Sequence, residues 1–332
     1  MKILVIDVAA EYGGAKTVLD QFISDFKNDK ENHYLVVLGK LDYKDFDNVS
    51  FLRKEWVKKS YFHRLFFDYF FSKKIVKQYK PDLVLSLQNK TIGIRKIPQE
   101  VFFHNALPIS QKKFKFFESK KLWFYQNIVG RIFRKSLKRA DKIYVQAKWI
   151  KDALIKKWRL PGNCIIVKPP RVDFTAHQDK HTHSSFLFYP ANGELYKNHE
   201  RLILALFRIW KDQMPENRFP LVLSGTLTDL PINVQKMVKN NANFPISFAG
   251  KLSKDMMAEY YSKSILVFPS YIETVGLPLL EARMTGCTII SSDCEYSREV
   301  LSGYQDVFYF NPEKVESIQE AIECCLKKAK LL

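Results

Sequence analysis

Two carboxylates lie on either side of a predicted helix start, and their positions favour contact with a ligand that carries both hydroxyls and phosphate. Glu273 follows an apolar run, and Glu281 comes eight positions later. Between them, Gly276 and Pro278 are typical of the opening of a helix. Free backbone amides and the positive end of the helix dipole favour a phosphate, and carboxylates accept hydrogen bonds from hydroxyls. A sugar nucleotide has both groups.

The elements that must position these acids are a strand, a loop, a helix and a second strand. Residues 264–268 and 287–292 are apolar runs with strand character, and Gly286 predicts the end of the helix. The order is that of a βαβ unit. For two acids at this spacing alone, an ordinary βαβ turn with solvated carboxylates remains the competing interpretation.

The complete motif is more specific than the two acids. It is Pro-Ser-x-x-Glu-x-x-Gly-x-Pro-x-x-Glu-Ala from Pro269 onward, and it resembles the donor-site signature of retaining glycosyltransferases of family 4, which have the GT-B fold. The resemblance implies an α/β protein with two Rossmann-like, doubly wound parallel-sheet domains facing across a cleft. We expect an acceptor-side domain over residues 1–168 and a nucleotide-sugar donor domain over residues 169–332.

The resemblance also implies roles for individual residues. Lys197 and the amides of Gly276 and Leu277 would hold the diphosphate of the donor. Glu281 would accept hydrogen bonds from ribose hydroxyls, and Glu273 would bind sugar hydroxyls near the anomeric carbon. His104, after a strand, would reach the donor sugar, although a lone histidine is usually structural. Further donor-binding candidates are Gly13, Gly14, Asn192, Gly225, Thr274 and Val275.

Two of these candidates need comment. Gly13 and Gly14 follow the first predicted strand and precede a helix, and the same pattern is expected of a simple tight βα turn. It is not G-x-G-x-x-G, so a dinucleotide fingerprint is not supported. Asn192 stands where the family carries an arginine. This departure leaves one cation fewer for the diphosphate.

The charge is unevenly distributed along the chain. Of 332 residues, 53 are Lys or Arg and 35 are Asp or Glu, a net charge of +18. Residues 1–168 hold 35 basic and 16 acidic side chains, a balance of +19, and residues 169–332 hold 18 and 19, a balance of −1. A basic half favours an anionic partner such as nucleic acid, a lipid surface or a phosphorylated substrate.

Two segments of the basic half, residues 51–80 and 112–139, combine aromatic and cationic residues. In the second, Trp123, Ile128 and Phe133 alternate with cations at roughly helical spacing, a pattern that suits a membrane interface. A core-facing helix with a solvated basic face is the alternative. We expect an anionic membrane surface and a lipid-linked saccharide acceptor as partners, with these candidate contact residues: Lys112, Lys113, Trp123, Arg131, Arg134 and Lys135.

Composition predicts a peripheral protein at the inner face of the plasma membrane. No apolar run approaches the roughly 18 residues of a transmembrane helix, and the apolar start of the chain is too short for a signal peptide. The five cysteines are odd in number and lack metal-ligand spacing, which favours a reducing cytoplasm.

We expect no cofactor and no metal. Two cations with a helix dipole can stabilise the leaving diphosphate without a metal ion. His177, His181 and His183 imitate a metal-binding tract, but residues 173–185 are better interpreted as a polar linker.

Two alternatives from other classes stay open. One is an inactive GT-B module that binds a sugar nucleotide or a partner, which the Asn192 departure suggests. The other is a basic nucleic-acid-binding protein on a Rossmann-like scaffold. The sequence contains no helix-turn-helix, zinc-finger or RNP motif, so no nucleic-acid partner is expected.

Overall fold

The computed structural model describes residues 1–11, 13–172, 174 and 184–331. The chain divides into two compact units, Met1–Arg171 and Val172–Leu332. Each unit contains one parallel β-sheet, and most connections between successive strands contain a helix. Loops follow the carboxyl ends of the strands, where α/β proteins bind their ligands.

The first unit has a seven-stranded sheet in the order β3-β2-β1-β4-β5-β6-β7, with all neighbours parallel. After β1 the chain builds outward through β2 and β3, and β4 then pairs with the other edge of β1. The topological switch point therefore lies between β1 and β4. The strands are β1 (Lys2–Asp7), β2 (His33–Leu38), β3 (Val49–Arg53), β4 (Leu83–Ser86), β5 (Gln99–Phe103), β6 (Lys142–Val145) and β7 (Ile165–Val167).

The helices of this unit include two segments of π-helix, each inserted between α-helical turns. The α-helices are α1 (Gly13–Asn28), α2 (Tyr61–Phe66), α3 (Ser72–Tyr79), α4 (Lys120–Phe124), α5 (Gly130–Leu137) and α6 (Lys148–Trp158). The π segments are Phe67–Phe71, between α2 and α3, and Tyr125–Val129, between α4 and α5. Single π turns inside α-helices are frequent at functional sites.

Two apolar clusters make up the core around the central strands. One joins β1, β2 and β5 to the buried face of α1 through residues such as Leu19, Phe22 and Phe26. The other joins alternate residues of β1 and β4 to Phe67 and Ile75. Successive side chains of a strand point to opposite faces, so strands covered on both faces must be apolar throughout. Residues 3–6 are buried without exception.

The second unit has a six-stranded parallel sheet in the order β10-β9-β8-β11-β12-β13. Its strands are β8 (Phe186–Tyr189), β9 (Leu221–Leu223), β10 (Ile246–Phe248), β11 (Ser264–Phe268), β12 (Ile289–Ser292) and β13 (Val307–Phe310). Its α-helices are α7 (His199–Lys211), α8 (Ile232–Asn240), α9 (Lys254–Ser262), α10 (Leu277–Met284), α11 (Glu295–Val300) and α12 (Val315–Lys328). The switch point of this sheet lies between β8 and β11, the strands that precede Lys197 and Glu273.

Candidate active site

The predicted βαβ unit around Glu273 is confirmed. Strand β11 leads into a loop, helix α10 begins at Leu277, and β12 follows. Gly276 is the N-cap residue with φ +77°, a left-handed conformation that favours glycine. Pro278 has no N–H, and the Leu279 amide donates to the Gly276 carbonyl over 2.9 Å. The amides of Gly276 and Leu277 are therefore the groups at this helix start that suit an anion.

Lys197 and Glu273 come together although 76 positions separate them. The Lys197 Nζ donates to Glu273 Oε1 over 2.5 Å, and both side chains are largely shielded from solvent. Lys197 ends a 3₁₀ turn, Leu195–Lys197, just before α7, and Glu273 lies in the loop before α10. The segments that follow the carboxyl ends of β8 and β11 thus bring one cation and one anion into contact. An ammonium group has three N–H donors, so the ion pair leaves two for a ligand.

A network of hydrogen bonds fixes the Lys197 turn against the Glu273 loop. Asn198 donates from Nδ2 to the carbonyls of Pro269 and Pro312 over 3.1 and 3.0 Å. Tyr189 donates its hydroxyl to the Lys197 carbonyl over 2.7 Å, and the Tyr271 amide donates to the carbonyl of residue 196 over 2.9 Å. Because both loops are bound to the same buried groups, the separation of Lys197 and Glu273 is set by the fold.

Asn198 is a functional candidate that the sequence analysis did not identify. Its φ is +62°, which is uncommon for a residue with a side chain. Asparagine tolerates this conformation better than most residues, and here its amide also bridges two loops. The next residue, His199, is buried and packs on the Tyr189 ring at 4.9 Å. Burial, with the adjacent Lys197 charge, lowers the pKa of His199 to about 3, so its ring is neutral.

Glu281 lies in α10 and has a different partner from Glu273. Its Oε2 accepts a hydrogen bond from the hydroxyl of the buried Tyr261 over 2.9 Å. Burial raises the pKa of Glu281, and the Tyr261 hydrogen bond and the Lys254 charge oppose that rise. The Tyr261 contact fixes one carboxylate oxygen and leaves the other as an acceptor.

Asn192 and Gly225 lie in the loops after β8 and β9. Asn192 is exposed, and its Oδ1 accepts from the Glu194 amide over 3.4 Å. The adjacent Gly193 lies so close to the Asp229 carbonyl that a Cβ would be 1.8 Å from that oxygen. Gly225 has φ +78° and exchanges backbone hydrogen bonds with Gly250 over 2.7 and 3.0 Å. The backbone is therefore closely packed at Gly193 and hydrogen-bonded at Gly225, while the Asn192 side chain is exposed.

His104 follows β5 in the first unit and is held by Asn89, a residue with φ +66°. The Asn89 Oδ1 accepts from the His104 amide over 2.8 Å, and the Asn89 Nδ2 lies 3.3 Å from the ring Nε2. This orientation makes Nε2 the acceptor and puts the ring proton on Nδ1. Burial lowers the pKa of His104 to about 4, so the ring is neutral. Its Nδ1 is buried without a hydrogen-bond partner.

Comparison with protein families agrees with this geometry. Residues 12–176 match the model described as Glycosyltransferase Family 4, and residues 173–332 match the model described as Glycosyl transferases group 1. Together the two matches extend from residue 12 to the end of the chain. The chain belongs to glycosyltransferase family 4. Its two parallel-sheet α/β units are the two domains of the GT-B fold.

One curated relative of this family 4 chain is the O-antigen chain mannosyltransferase RfbU of Salmonella typhimurium. The two sequences are 27% identical over 206 residues, which is 60% of this chain and 55% of the relative. The aligned part therefore spans about half the length of that relative.

Two solved structures have the same GT-B fold. Sucrose-phosphate synthase from Thermosynechococcus elongatus superimposes with a TM-score of 0.71 at 16% identity, covering 99% of this chain and 90% of the other. Anabaena Alr3699/HepE in complex with UDP-glucose superimposes with a TM-score of 0.68 at 14% identity, covering 100% and 91%. At these identities the likeness shows the fold alone.

In the glycine loop of this family 4 chain, Gly13 and Gly14 begin α1. Gly14 is exposed, and a Cβ there would meet no atom within 4 Å. Asp7, the last residue of β1, stabilises the loop because its Oδ1 accepts from the Ala10 amide over 3.2 Å. Burial raises the pKa of Asp7 to about 7, against the opposing effect of the Ala10 and Ala9 amides and the charges of Arg64 and Lys58.

The basic aromatic segments differ from their expected arrangement. Phe133 and Leu137 of α5 are buried, so the apolar face of this helix belongs to the core, and the core-facing alternative is correct there. Trp123 is half-buried and packs edge-on against Phe116 at 5.4 Å. Among the predicted contact cations, Lys112 is half-buried and the others are exposed: Lys113, Arg131, Arg134 and Lys135.

The most exposed aromatic side chains of the first unit are not among the predicted contact residues. Phe62 is 80% exposed and Phe117 81%. Further exposed aromatic residues of the first unit include Phe66, Tyr69, Phe70, Phe116 and Phe124. Sequence periodicity did not separate them from core residues.

Within residues 1–11, 13–172, 174 and 184–331, no group of three or more His, Cys, Asp or Glu side chains is arranged to hold a metal ion. No helix in the same part of the chain is long and apolar enough to cross a bilayer. The predicted linker histidines, His177, His181 and His183, lie outside the described residues.

Proposed function

We propose that this protein is a retaining, metal-independent glycosyltransferase. It moves a hexose from a nucleotide-diphosphate sugar to a hydroxyl of a lipid-linked glycan during assembly of a cell-surface polysaccharide. The second unit binds the donor, and the first unit binds the acceptor. The observation that carries the proposal is the ion pair of Lys197 with Glu273, which lies in the family's donor motif together with the left-handed Gly276 at the start of α10.

Each donor-binding group has a proposed role. Lys197 directs its remaining N–H groups at the diphosphate, and the Gly276 and Leu277 amides bind the same group at the positive end of the helix. Glu281 binds ribose hydroxyls with the oxygen that Tyr261 leaves free. Glu273 orients Lys197 and accepts hydrogen bonds from hydroxyls of the sugar.

The chemical step that we propose takes place on one face of the sugar. The bond from the anomeric carbon to the β-phosphate oxygen breaks, and its electrons stay on the diphosphate. The acceptor oxygen bonds to the same face of the anomeric carbon, and its proton passes to the departing phosphate oxygen. Lys197 and the helix amides stabilise the charge that grows on the diphosphate, as preorganised donors do. His104 donates from Nδ1 to a sugar hydroxyl.

The name of the relative RfbU favours a mannosyl donor. The test is a panel of GDP-mannose, UDP-glucose, UDP-galactose and UDP-N-acetylglucosamine, with nucleoside diphosphate release measured with and without a chelator. We expect release from one donor, unchanged by the chelator. Release that needs an added divalent metal would contradict metal independence. Binding of a donor without release in the presence of lipid extracts would favour the inactive module.

The acceptor is proposed to be presented at an anionic membrane surface. The exposed aromatic residues of the first unit lie among cations, with the Nζ atoms of Lys73 and Lys115 5.9 Å from the Phe70 ring and 5.6 Å from the Phe117 ring. Aromatic rings with adjacent cations suit the boundary between headgroups and acyl chains. The charge balance of +19 in residues 1–168 adds attraction to anionic lipids.

Co-sedimentation with vesicles tests this part of the proposal. We expect binding to vesicles rich in phosphatidylglycerol, little binding to phosphatidylcholine, and loss of binding in the double variant Phe62→Ser, Phe117→Ser. Ile232→Ser is the matched control, because Ile232 is a 71% exposed apolar residue of the second unit. Equal binding of the double variant and the control would contradict the proposed surface.

A further inference from the structure

A buried ionic cluster of the first unit lies next to the switch point between β1 and β4. It consists of Arg64 from α2, Asp68 from the π segment Phe67–Phe71, and Gln88 and Lys90 from the loop after β4. We call these four residues the strand-end cluster. Ligands of open α/β sheets bind at the carboxyl ends of the strands beside the switch point, so the cluster lies where this sheet favours a ligand.

The contacts inside the cluster leave one positive charge in surplus. Asp68, 2% exposed, forms an ion pair with Lys90 and accepts from Gln88 Nε2 over 3.3 Å. Arg64 donates from Nη2 to Gln88 Oε1, and its Nε lies 3.4 Å from Asp68 Oδ2. One carboxylate therefore faces two cations. Asp7, whose pKa is near 7, gives only partial compensation.

Unsatisfied polar atoms mark the same edge of the sheet. Among the described residues of the first unit, three buried side-chain atoms make no hydrogen bond: His104 Nδ1, Glu11 Oε1 and Arg64 Nε. The last two are contacted only at ion-pair distance, by Lys40 at 3.7 Å and by Asp68 at 3.4 Å. All three belong to residues beside the ends of β1, β4 or β5. Buried polar atoms without a hydrogen bond are rare in native proteins. Their grouping places unused hydrogen-bonding capacity at the strand ends, where open α/β sheets bind ligands.

The second π segment also contributes to this edge. Tyr125 is its first residue. Burial raises the pKa of Tyr125, and the positive charges of Arg64 and Lys121 and a hydrogen bond with Asn105 oppose that rise. Both π segments of the unit therefore bring a polar side chain close to Arg64. The Arg64 side chain keeps 20% of its surface exposed.

We propose that Arg64, supported by Asp68, Gln88 and Lys90, binds one anionic group of the acceptor, a phosphate or a carboxylate. This inference rests on the proposed function, because it assigns the acceptor to the first unit and gives it a negative charge. The anion completes the charge balance of the strand-end cluster, and the guanidinium offers a planar pair of donors. A phosphate would come from the lipid-linked end of the acceptor, and a carboxylate from an acidic sugar.

The test is ligand binding by titration calorimetry on the full chain, with three soluble probes in a phosphate-free buffer. The probes are N-acetylglucosamine 1-phosphate, methyl glucuronoside and the uncharged methyl glucoside. We expect at least one anionic probe to bind more tightly than methyl glucoside. Arg64→Gln should weaken that binding roughly tenfold or more, the size expected for a charge-assisted hydrogen bond. The better anionic probe distinguishes the two sources of the anion.

Three further variants locate the effect. Arg139→Gln removes an exposed charge from the same unit and should leave binding unchanged. Lys197→Met disables the proposed phosphate site of the second unit. Anion binding that is lost in Lys197→Met but kept in Arg64→Gln would assign the anion to the second unit and overturn the proposal. Arg64→Lys, which keeps the charge and supports the fold, should bind with intermediate affinity. Equal affinity of the wild type for all three probes would overturn the proposal, as would unchanged anion binding in Arg64→Gln. Turnover is not needed, so failure of the proposed function is distinguished from failure of this inference.

Discussion

The two units pair their charged side chains differently. In the second unit, Lys197 is paired one to one with Glu273. In the first unit, the carboxylate of Asp68 faces two cations, Arg64 and Lys90. The formal balance is +19 for residues 1–168 and −1 for residues 169–332. The difference agrees with the roles that we propose, a donor site with paired charges in the second unit and an acceptor site with surplus positive charge in the first.

The largest expected effect concerns the ion pair of the second unit. Lys197→Met removes the cation that faces the leaving diphosphate, and we expect kcat to fall about 10²–10³-fold, as for loss of one preorganised donor. The measurement is steady-state release of nucleoside diphosphate from the donor found in the panel. Lys239→Met, which removes an exposed charge of the same unit, should have the wild-type rate. A Lys197→Met rate within about threefold of the wild-type rate would contradict the comparison, because the loss of one preorganised donor should lower kcat much further.

An intermediate effect is expected at Asn198, which holds the Lys197 turn to the Glu273 loop. Asn198→Gly keeps the left-handed backbone and loses both side-chain hydrogen bonds, which leaves two buried carbonyls with fewer donors. We expect unfolding free energy to fall by about 1–3 kcal/mol and kcat to fall with KM for the acceptor unchanged. Asn198→Ala adds backbone strain and should be the less stable of the two. Denaturant unfolding and kinetics of both variants measure this. If the two variants match the wild type, the loop network has no positioning role.

A third, pH-dependent effect concerns Asp7, at the switch point of the first unit. Its folded-state pKa is raised from 3.8 to about 7, so its contribution to stability is fully present below pH 3.8 and is lost as the pH rises through about 7. Asp7→Asn cannot titrate. The unfolding free energy of Asp7→Asn minus that of the wild type should therefore increase across this window, by roughly 4 kcal/mol, and stay constant above it. Denaturant titrations at several pH values measure the difference. A constant difference would show that Asp7 is not buried as a neutral acid.

Much of the second unit was predictable from the sequence, and the reason is local. Gly276 and Pro278 define the start of α10 by backbone chemistry, and the expected strand at residues 264–268 is the observed β11. The pairing of Lys197 with Glu273 required the resemblance, since no local rule connects residues 76 positions apart. Asn198 was missed because a left-handed asparagine at a helix start has no periodic signal.

Less of the first unit was predictable. Phe133 was grouped with candidate surface aromatic residues, but it is buried in the core. Phe62 and Phe117 are the highly exposed ones. The π segments add a residue to a turn and shift the phase of the helix, so a 3.6-residue period assigns the wrong face. The strand-end cluster joins α2 to the loop after β4, and only tertiary structure brings these together.

The central claim is that the second unit holds the nucleotide-diphosphate sugar. Hydrogen–deuterium exchange of the full chain, with and without saturating GDP-mannose or UDP-glucose, tests it most directly. Bound phosphate should protect the backbone amides at the start of α10 and in the Lys197 turn, so we expect slower exchange over residues 192–198 and 273–281 with the donor that binds. Protection confined to residues 1–171 would contradict the account.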